Sequence, residues 1–129
     1  MKTLTLILQN LIRLLGVVLI VLGILFWARI DYTESLVRIH MQLGVTLVFL
    51  LWILAGIALR ARVSGGLVFG AIVWGFIVAG YGMALRGLLG SSPAPELYRI
   101  LHLIAGLGAI GLAESLGARI KRSLRPAEI

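Results

Sequence analysis

The chain is organised by four long apolar runs separated by short polar segments. The runs span roughly residues 4–28, 39–59, 67–85 and 100–118. Each reaches or approaches the ~20 residues that a helix needs to cross ~30 Å of hydrocarbon. Backbone groups cannot stay unpaired in lipid, so such runs form helices or a closed barrel, and their continuous hydrophobicity excludes the barrel.

The connections between the runs are short, which places consecutive helices antiparallel. Asp31 or Thr33 can cap the second helix, and Pro95 with Glu96 suits the first turn of the fourth. The sequence therefore predicts an all-α fold, an integral membrane up-down-up-down four-helix bundle. It forms one domain over residues 1–129, with helices at about 4–29, 35–60, 65–88 and 95–121.

Composition supports lipid rather than water as the surroundings of this bundle. Charged residues make up 13% of the chain, against about 25% in a typical soluble domain. The absence of cysteine excludes disulfides, iron–sulfur ligation, thiolate zinc sites and cysteine nucleophiles. The first run is too long for a signal-peptide core and has no small-residue cleavage site after it, which predicts a retained helix.

The formal net charge is +7, and the basic residues sit at the ends of the apolar runs. This placement indicates membrane anchoring and orientation rather than nucleic-acid binding. Seven basic residues on one side against four on the other predict a multi-pass protein of a bacterial-type inner membrane with both termini cytoplasmic. The seven are Lys2, Arg60, Arg62, Arg119, Lys121, Arg122 and Arg125.

The only two histidines occupy equivalent positions in the second and fourth runs. His40 lies seven residues after Thr33, and His102 lies seven residues after Pro95. Both imidazoles are therefore expected about 10 Å along their helices, at equal depth near the outer surface. The second and fourth helices are diagonal in an up-down bundle, so the two side chains are expected to meet across its core.

This arrangement favours a haem held between the two helices. A histidine in apolar surroundings needs a partner, and neutral imidazole is a good ligand for haem iron. Zinc is disfavoured, since it takes about four ligands and no cysteine or third histidine is present. Gly44 and Gly106 lie one turn below His40 and His102 on the same faces, where they leave flat walls for a porphyrin. The alternative is that each imidazole only hydrogen-bonds a carbonyl or hydroxyl group.

Four arginines on the outer side are candidates for binding the haem propionates. Arg38 and Arg99 lie less than one turn above the histidines, and Arg29 and Arg86 end the first and third helices. Guanidinium groups pair with carboxylates in a bidentate way. Interfacial snorkelling is the alternative for each of them.

Glycine is frequent in the third run and Glu114 interrupts the fourth. The glycines permit close helix packing or make room for a flat ligand, and the two interpretations are compatible. Glu114 can carry protons, or it can pair with Arg119 or Arg13 near the inner end of its span. The structural pairing is favoured, because charge is less costly near a span end.

The chain has four spans, a histidine pair on bundle helices and a His-x-x-x-Gly motif at His40 and at His102. In this layout it resembles small four-helix membrane cytochromes of the b type, broadly the cytochrome b561-like class. The resemblance implies one non-covalent haem b, bis-histidine ligation and one-electron transfer. The b561-like proteins usually carry two haems and four ligands, whereas this chain has one histidine pair and none in its inner half. A relay across the whole membrane is therefore not implied.

The resulting hypothesis is an electron carrier rather than an enzyme, working in membrane lipid with a quinol or a periplasmic redox protein as partner. One alternative is a pigment-binding or accessory subunit in which each histidine binds its own chlorin. Another is a small structural or transporter-like protein whose histidine pair titrates. Outward-facing histidines would favour the first alternative, and a water-filled cavity would favour the second.

Overall fold

A computed structural model describes residues 1–127, and it contains four α-helices and no strand in that range. They are α1 (Lys2–Trp27), α2 (Glu34–Arg60), α3 (Gly65–Ser91) and α4 (Pro95–Ser123). All four are long and apolar enough to cross a membrane. At about 1.5 Å per residue each is roughly 40 Å long. The predicted all-α, multi-pass four-helix architecture is confirmed.

Helices α2 and α4 begin at the residues that the capping signals indicated. The Thr33 hydroxyl accepts a hydrogen bond of 3.3 Å from the Leu36 backbone N–H at the start of α2. Pro95 opens α4 and Glu96 lies in its first turn. Two different capping devices therefore fix the starts of the two histidine-bearing helices.

The ends of α1 and α3 differ from the expected ones. Helix α1 ends at Trp27, two residues early, and Arg29 adopts a left-handed backbone with φ of 55° that directs the chain out of the helix. Helix α3 runs to Ser91, three residues further than expected. Its capping residue Ser92 is extended, as residues before a proline usually are.

Consecutive helices are neighbours, α1 also packs on α4, and α2 contacts α4 along the diagonal of the bundle. Helices α1 and α3 do not meet within residues 1–127. The end that holds the α1–α2 and α3–α4 connections is termed the outer end, and the opposite end the inner end. The close diagonal brings together the two helices that carry the histidines.

The buried core fills only the inner half of the bundle. The buried residues of the four helices lie between positions 5–16, 47–58, 68–75 and 105–120. Within the described chain, no residue in 17–46 or 76–104 is buried. The outer half is therefore enclosed by helices without a close-packed core of side chains.

Two tryptophans join α3 to its neighbours. Trp52 on α2 donates from Nε1 to the Ile72 carbonyl at 3.2 Å, and Gly75 leaves the space that its indole ring occupies. Trp74 donates from Nε1 to the Ala105 carbonyl of α4 at 2.9 Å. The close-packing interpretation of the α3 glycines is confirmed at Gly75.

Candidate functional site

His40 and His102 face each other across the outer half of the bundle. Their ring centroids are 6.1 Å apart and their ring planes are inclined by 52°. Both side chains are half-buried. The structure confirms that the two imidazoles meet between α2 and α4 at matched positions.

Both imidazoles carry a nitrogen without a protein partner. The Nδ1 atoms of His40 and His102 are buried and accept or donate no hydrogen bond within residues 1–127. Buried polar atoms are nearly always hydrogen-bonded, because an unpaired one costs free energy. The alternative to a haem ligand, in which each imidazole only hydrogen-bonds a carbonyl or hydroxyl group, finds no support at these two Nδ1 atoms.

The separation of the two rings suits a single metal ion between them. An imidazole nitrogen binds a metal at about 2 Å and lies roughly 1 Å from its ring centre, so rings on opposite sides of one ion have centroids about 6 Å apart. No group of three or more His, Asp or Glu side chains in residues 1–127 is placed to hold a metal. Two imidazoles at this separation fit a metal that brings its remaining ligands in a macrocycle, as haem does.

Aromatic side chains from α1 and α3 hold the two imidazoles. Phe26 of α1 meets His40 edge-on, with centroids 5.5 Å apart and planes at 67°. Tyr81 of α3 stacks on His102 at 6.0 Å and 25°. Its hydroxyl donates to the Tyr98 carbonyl at 2.9 Å, which fixes the ring position. All four helices therefore contribute side chains near the two imidazoles, whereas the sequence indicated only arginines at the ends of the first and third helices.

Glycines border the histidines on every side. A Cβ atom at Gly82 would lie 3.4 Å from His102 Cε1, and one at Gly23 would lie 3.8 Å from His40 Cε1. A Cβ at Gly44 or at Gly106 would meet nothing within 4 Å. Glycine thus lets α1 and α3 approach the rings, and it leaves space one turn below each histidine, where a flat ring was expected.

The outer arginines divide into two groups. Arg86 on α3 forms a bidentate ion pair with Glu34 on α2, at 2.7 and 3.1 Å, and Arg99 pairs with Glu96 one turn earlier on α4. Arg29 and Arg38 have no carboxylate within 4 Å among residues 1–127. Exposed ion pairs of this kind are weak, so the engaged arginines can exchange one carboxylate for another.

Glu114 belongs to a separate polar cluster at the inner half of the α1–α4 contact. Its carboxylate accepts from Arg13 Nε at 2.6 Å and from Arg13 Nη2 at 2.7 Å. Gln9 donates to the same carboxylate at 3.3 Å. The predicted structural pairing of Glu114 is confirmed with Arg13.

Comparison with protein-family models, with curated proteins and with solved structures finds no match to this chain. The function of the site therefore has to be inferred from its residues.

Proposed function

We propose that this chain is a membrane b-type cytochrome that binds one haem b non-covalently between His40 and His102 and transfers single electrons. The observation that carries the proposal is the opposed imidazole pair, with centroids 6.1 Å apart on the two diagonal helices. It gains support from the unpartnered Nδ1 atoms and from the lack of buried residues in the surrounding outer half.

The residues around the pair fit a flat macrocycle. Gly44 and Gly106 leave the space beside the ligating helices, and Phe26 and Tyr81 limit rotation of the imidazoles. Haem bound by His40 and His102 would supply one-electron exchange at its iron. The role of this chain is then to hold the two imidazole rings rigidly on opposite sides of the site and to exclude water from them.

Arg29 and Arg38 are the leading candidates to bind the propionates, because neither is engaged by a carboxylate within residues 1–127. Arg86 and Arg99 can join them by exchanging their glutamate partners. With both termini cytoplasmic in an inner membrane, the site lies near the periplasmic surface. A quinol or a periplasmic redox protein is the corresponding electron partner.

The opposed arrangement favours one shared ion over one chlorin on each histidine. Separate macrocycles need rings that point away from each other, whereas these rings face each other at 6.1 Å. A histidine pair that titrates without a cofactor remains the alternative that the experiment must separate.

The test is an absorbance spectrum of the detergent-purified protein, recorded before and after dithionite and after expression with adequate haem supply. His40→Ala and His102→Ala are compared with Thr46→Ala and Ile104→Ala, whose side chains are exposed on the same two helices. We expect a low-spin spectrum in the wild type and both controls. Each histidine variant should lose the spectrum or become high-spin.

Circular dichroism and size-exclusion profiles establish that each variant is folded before its spectrum is interpreted. A wild-type protein that stays colourless when haem is added would overturn the cytochrome proposal. Two haems per chain, each lost with one histidine, would instead support separate macrocycles.

A further inference from the structure

A basic pocket of about 270 Å³ opens at the inner end of the bundle, remote from the histidines. One wall comes from the α2–α3 connection and the other from the last turns of α4. It is lined by Arg62, Val63, Ser64, Arg119, Arg122 and Ser123.

The three arginines of this pocket form no ion pair within residues 1–127. None of them has a carboxylate within 4 Å among residues 1–127. Glu114 is the acidic residue of the described inner half, and Arg13 holds its carboxylate on a different helix pair. Three arginines that line one pocket and have no carboxylate partner among residues 1–127 favour a ligand that brings negative charge.

Neutral donors add to the charge at the same place. The Ser64 side chain makes no capping hydrogen bond to α3, and the first turn of α3 has no acidic residue. Arg62 has a left-handed backbone with φ of 57°, which brings its side chain to the pocket wall.

We propose that this pocket binds a phosphate group, carried either by the headgroup of an anionic lipid or by a free phosphate ion. Arginine forks match the geometry of phosphate oxygens, and the Ser64 hydroxyl at the pocket wall is a further donor. The pocket lies where three membrane-spanning helices end, at the level of the lipid headgroups. Basic pockets between helices on the cytoplasmic side are suited to such headgroups.

Any basic surface attracts anionic lipid, so the test compares two variants that lose equal charge. The pocket variant is R62Q/R119Q/R122Q, and the control variant is R60Q/K121Q/R125Q. The control removes three basic residues from the same end of the bundle but from outside the pocket.

Each protein is reconstituted in vesicles of equimolar phosphatidylglycerol and phosphatidylcholine and extracted in mild detergent, and native mass spectrometry measures the lipids that it retains. We expect the wild type to retain phosphatidylglycerol preferentially. Loss of charge-assisted hydrogen bonds should reduce this preference about tenfold in the pocket variant. The control should change by less than about twofold, in line with the small effect of exposed charges.

A second arm identifies the source of the phosphate. Inorganic phosphate is titrated into delipidated protein, and the midpoint of thermal unfolding is followed against chloride at equal ionic strength. If phosphate raises the unfolding midpoint of the wild type but not of the pocket variant, the ligand of the pocket is free phosphate. If the wild type retains phosphatidylglycerol and phosphate does not raise its midpoint, the ligand is the lipid headgroup.

Equal losses in the two triple variants would overturn the proposal, as would a wild type that prefers neither phosphatidylglycerol nor phosphate. If the pocket variant does not fold, R119Q/R122Q leaves the α2–α3 connection intact and is judged by the same criteria. The haem spectrum plays no part in any arm, so the outcome is independent of the proposed cytochrome function.

Discussion

The glycines next to the two histidines differ in what a side chain would meet. At Gly82 a Cβ atom would be in ordinary van der Waals contact with His102, at 3.4 Å. At Gly106 and Gly44 a Cβ would meet nothing within 4 Å, so the packing of the protein does not require glycine. A glycine inside a helix costs about 1 kcal/mol relative to alanine. What distinguishes these two open positions from the other open glycines is their place one turn below a histidine, where the proposed haem would bind.

Gly106→Leu is expected to weaken haem binding without destabilising the haem-free protein. Leucine improves helix propensity by roughly 0.5–1 kcal/mol, so the haem-free thermal unfolding midpoint should stay level or rise. A side chain that overlaps the bound ring costs about 1–3 kcal/mol, which corresponds to a loss of affinity of about 5- to 150-fold. Haem titration followed by absorbance measures the affinity.

Gly111→Leu is the matched control, since it lies on the same helix and a Cβ there also meets nothing within 4 Å. It should bind haem as the wild type does. If the two leucine variants bind haem equally well, Gly106 does not border the ligand.

Sequence reasoning identified the histidine pair because both histidines stand at the same distance from a helix start. It missed Phe26 and Tyr81, which lie against the imidazoles, and it missed Gly23 as a neighbour of His40. These residues come from segments 14–27 of α1 and 67–85 of α3, which are apolar on every face. A helix that is apolar all round gives no signal of its rotation, so the residues that it turns toward the site could not be predicted.

At the scale of helices, α1 and α4 are joined by charge inside the apolar region. Arg13 lies eleven residues after the start of α1, or about 17 Å along it. Helices of roughly 40 Å exceed the ~30 Å hydrocarbon core by about 5 Å at each end, so the pair with Glu114 lies about 10 Å inside the core. The ion pair half-faces the lipid, with side-chain exposures of 50% for Arg13 and 38% for Glu114.

We expect Arg13→Gln and Glu114→Gln each to destabilise the bundle by about 1–3 kcal/mol, because each leaves a charge unpaired in hydrocarbon. The double variant should cost less than the sum, with a coupling energy of about 0.5–3 kcal/mol. Reversible unfolding in mixed micelles with increasing dodecyl sulfate measures the free energy of unfolding of the two single variants and of the double variant.

The pair of Arg86 and Glu34 provides the control cycle, because it has the same bidentate geometry at the exposed outer end. Its coupling energy should lie within about 0–1 kcal/mol. Equal coupling in the two cycles would mean that the Arg13 pair does not benefit from its apolar surroundings.

The apolar runs were sufficient to predict four helices, since hydrocarbon leaves the backbone little choice. They could not predict where α1 and α3 end. Those ends depend on the backbone of Arg29 and of Ser92, which is a property of the local turn rather than of hydrophobicity.

At the scale of the whole molecule, the bundle consists of a close-packed inner half and an outer half without buried residues. Core residues such as Leu51, Leu54 and Leu116 are fully buried in the inner half, where van der Waals packing of their side chains holds the helices together. The outer half lacks this contribution. Its helices are expected to open locally more often than the inner half when haem is absent.

Haem binding should therefore slow the hydrogen exchange of backbone amides more in the outer half than in the inner half. A ligand at 100 times its Kd stabilises the state that binds it by about 2.7 kcal/mol, so openings that break the site should become about 100-fold rarer. Backbone amides in residues 17–46 and 76–104, which hold the site, should exchange hydrogen more slowly by up to that factor. The inner-half amides should change little, because their packing does not involve the histidines.

Hydrogen–deuterium exchange with mass spectrometry, with and without haem, measures both halves, and H40A/H102A reports non-specific effects of haem in the micelle. Uniform protection of all four helices would show that the bundle opens as one unit, and protection that survives in H40A/H102A would place the haem elsewhere. Slowed exchange confined to the outer half, and lost with the histidines, would mean that the ligand supplies the packing that the side chains of this half do not.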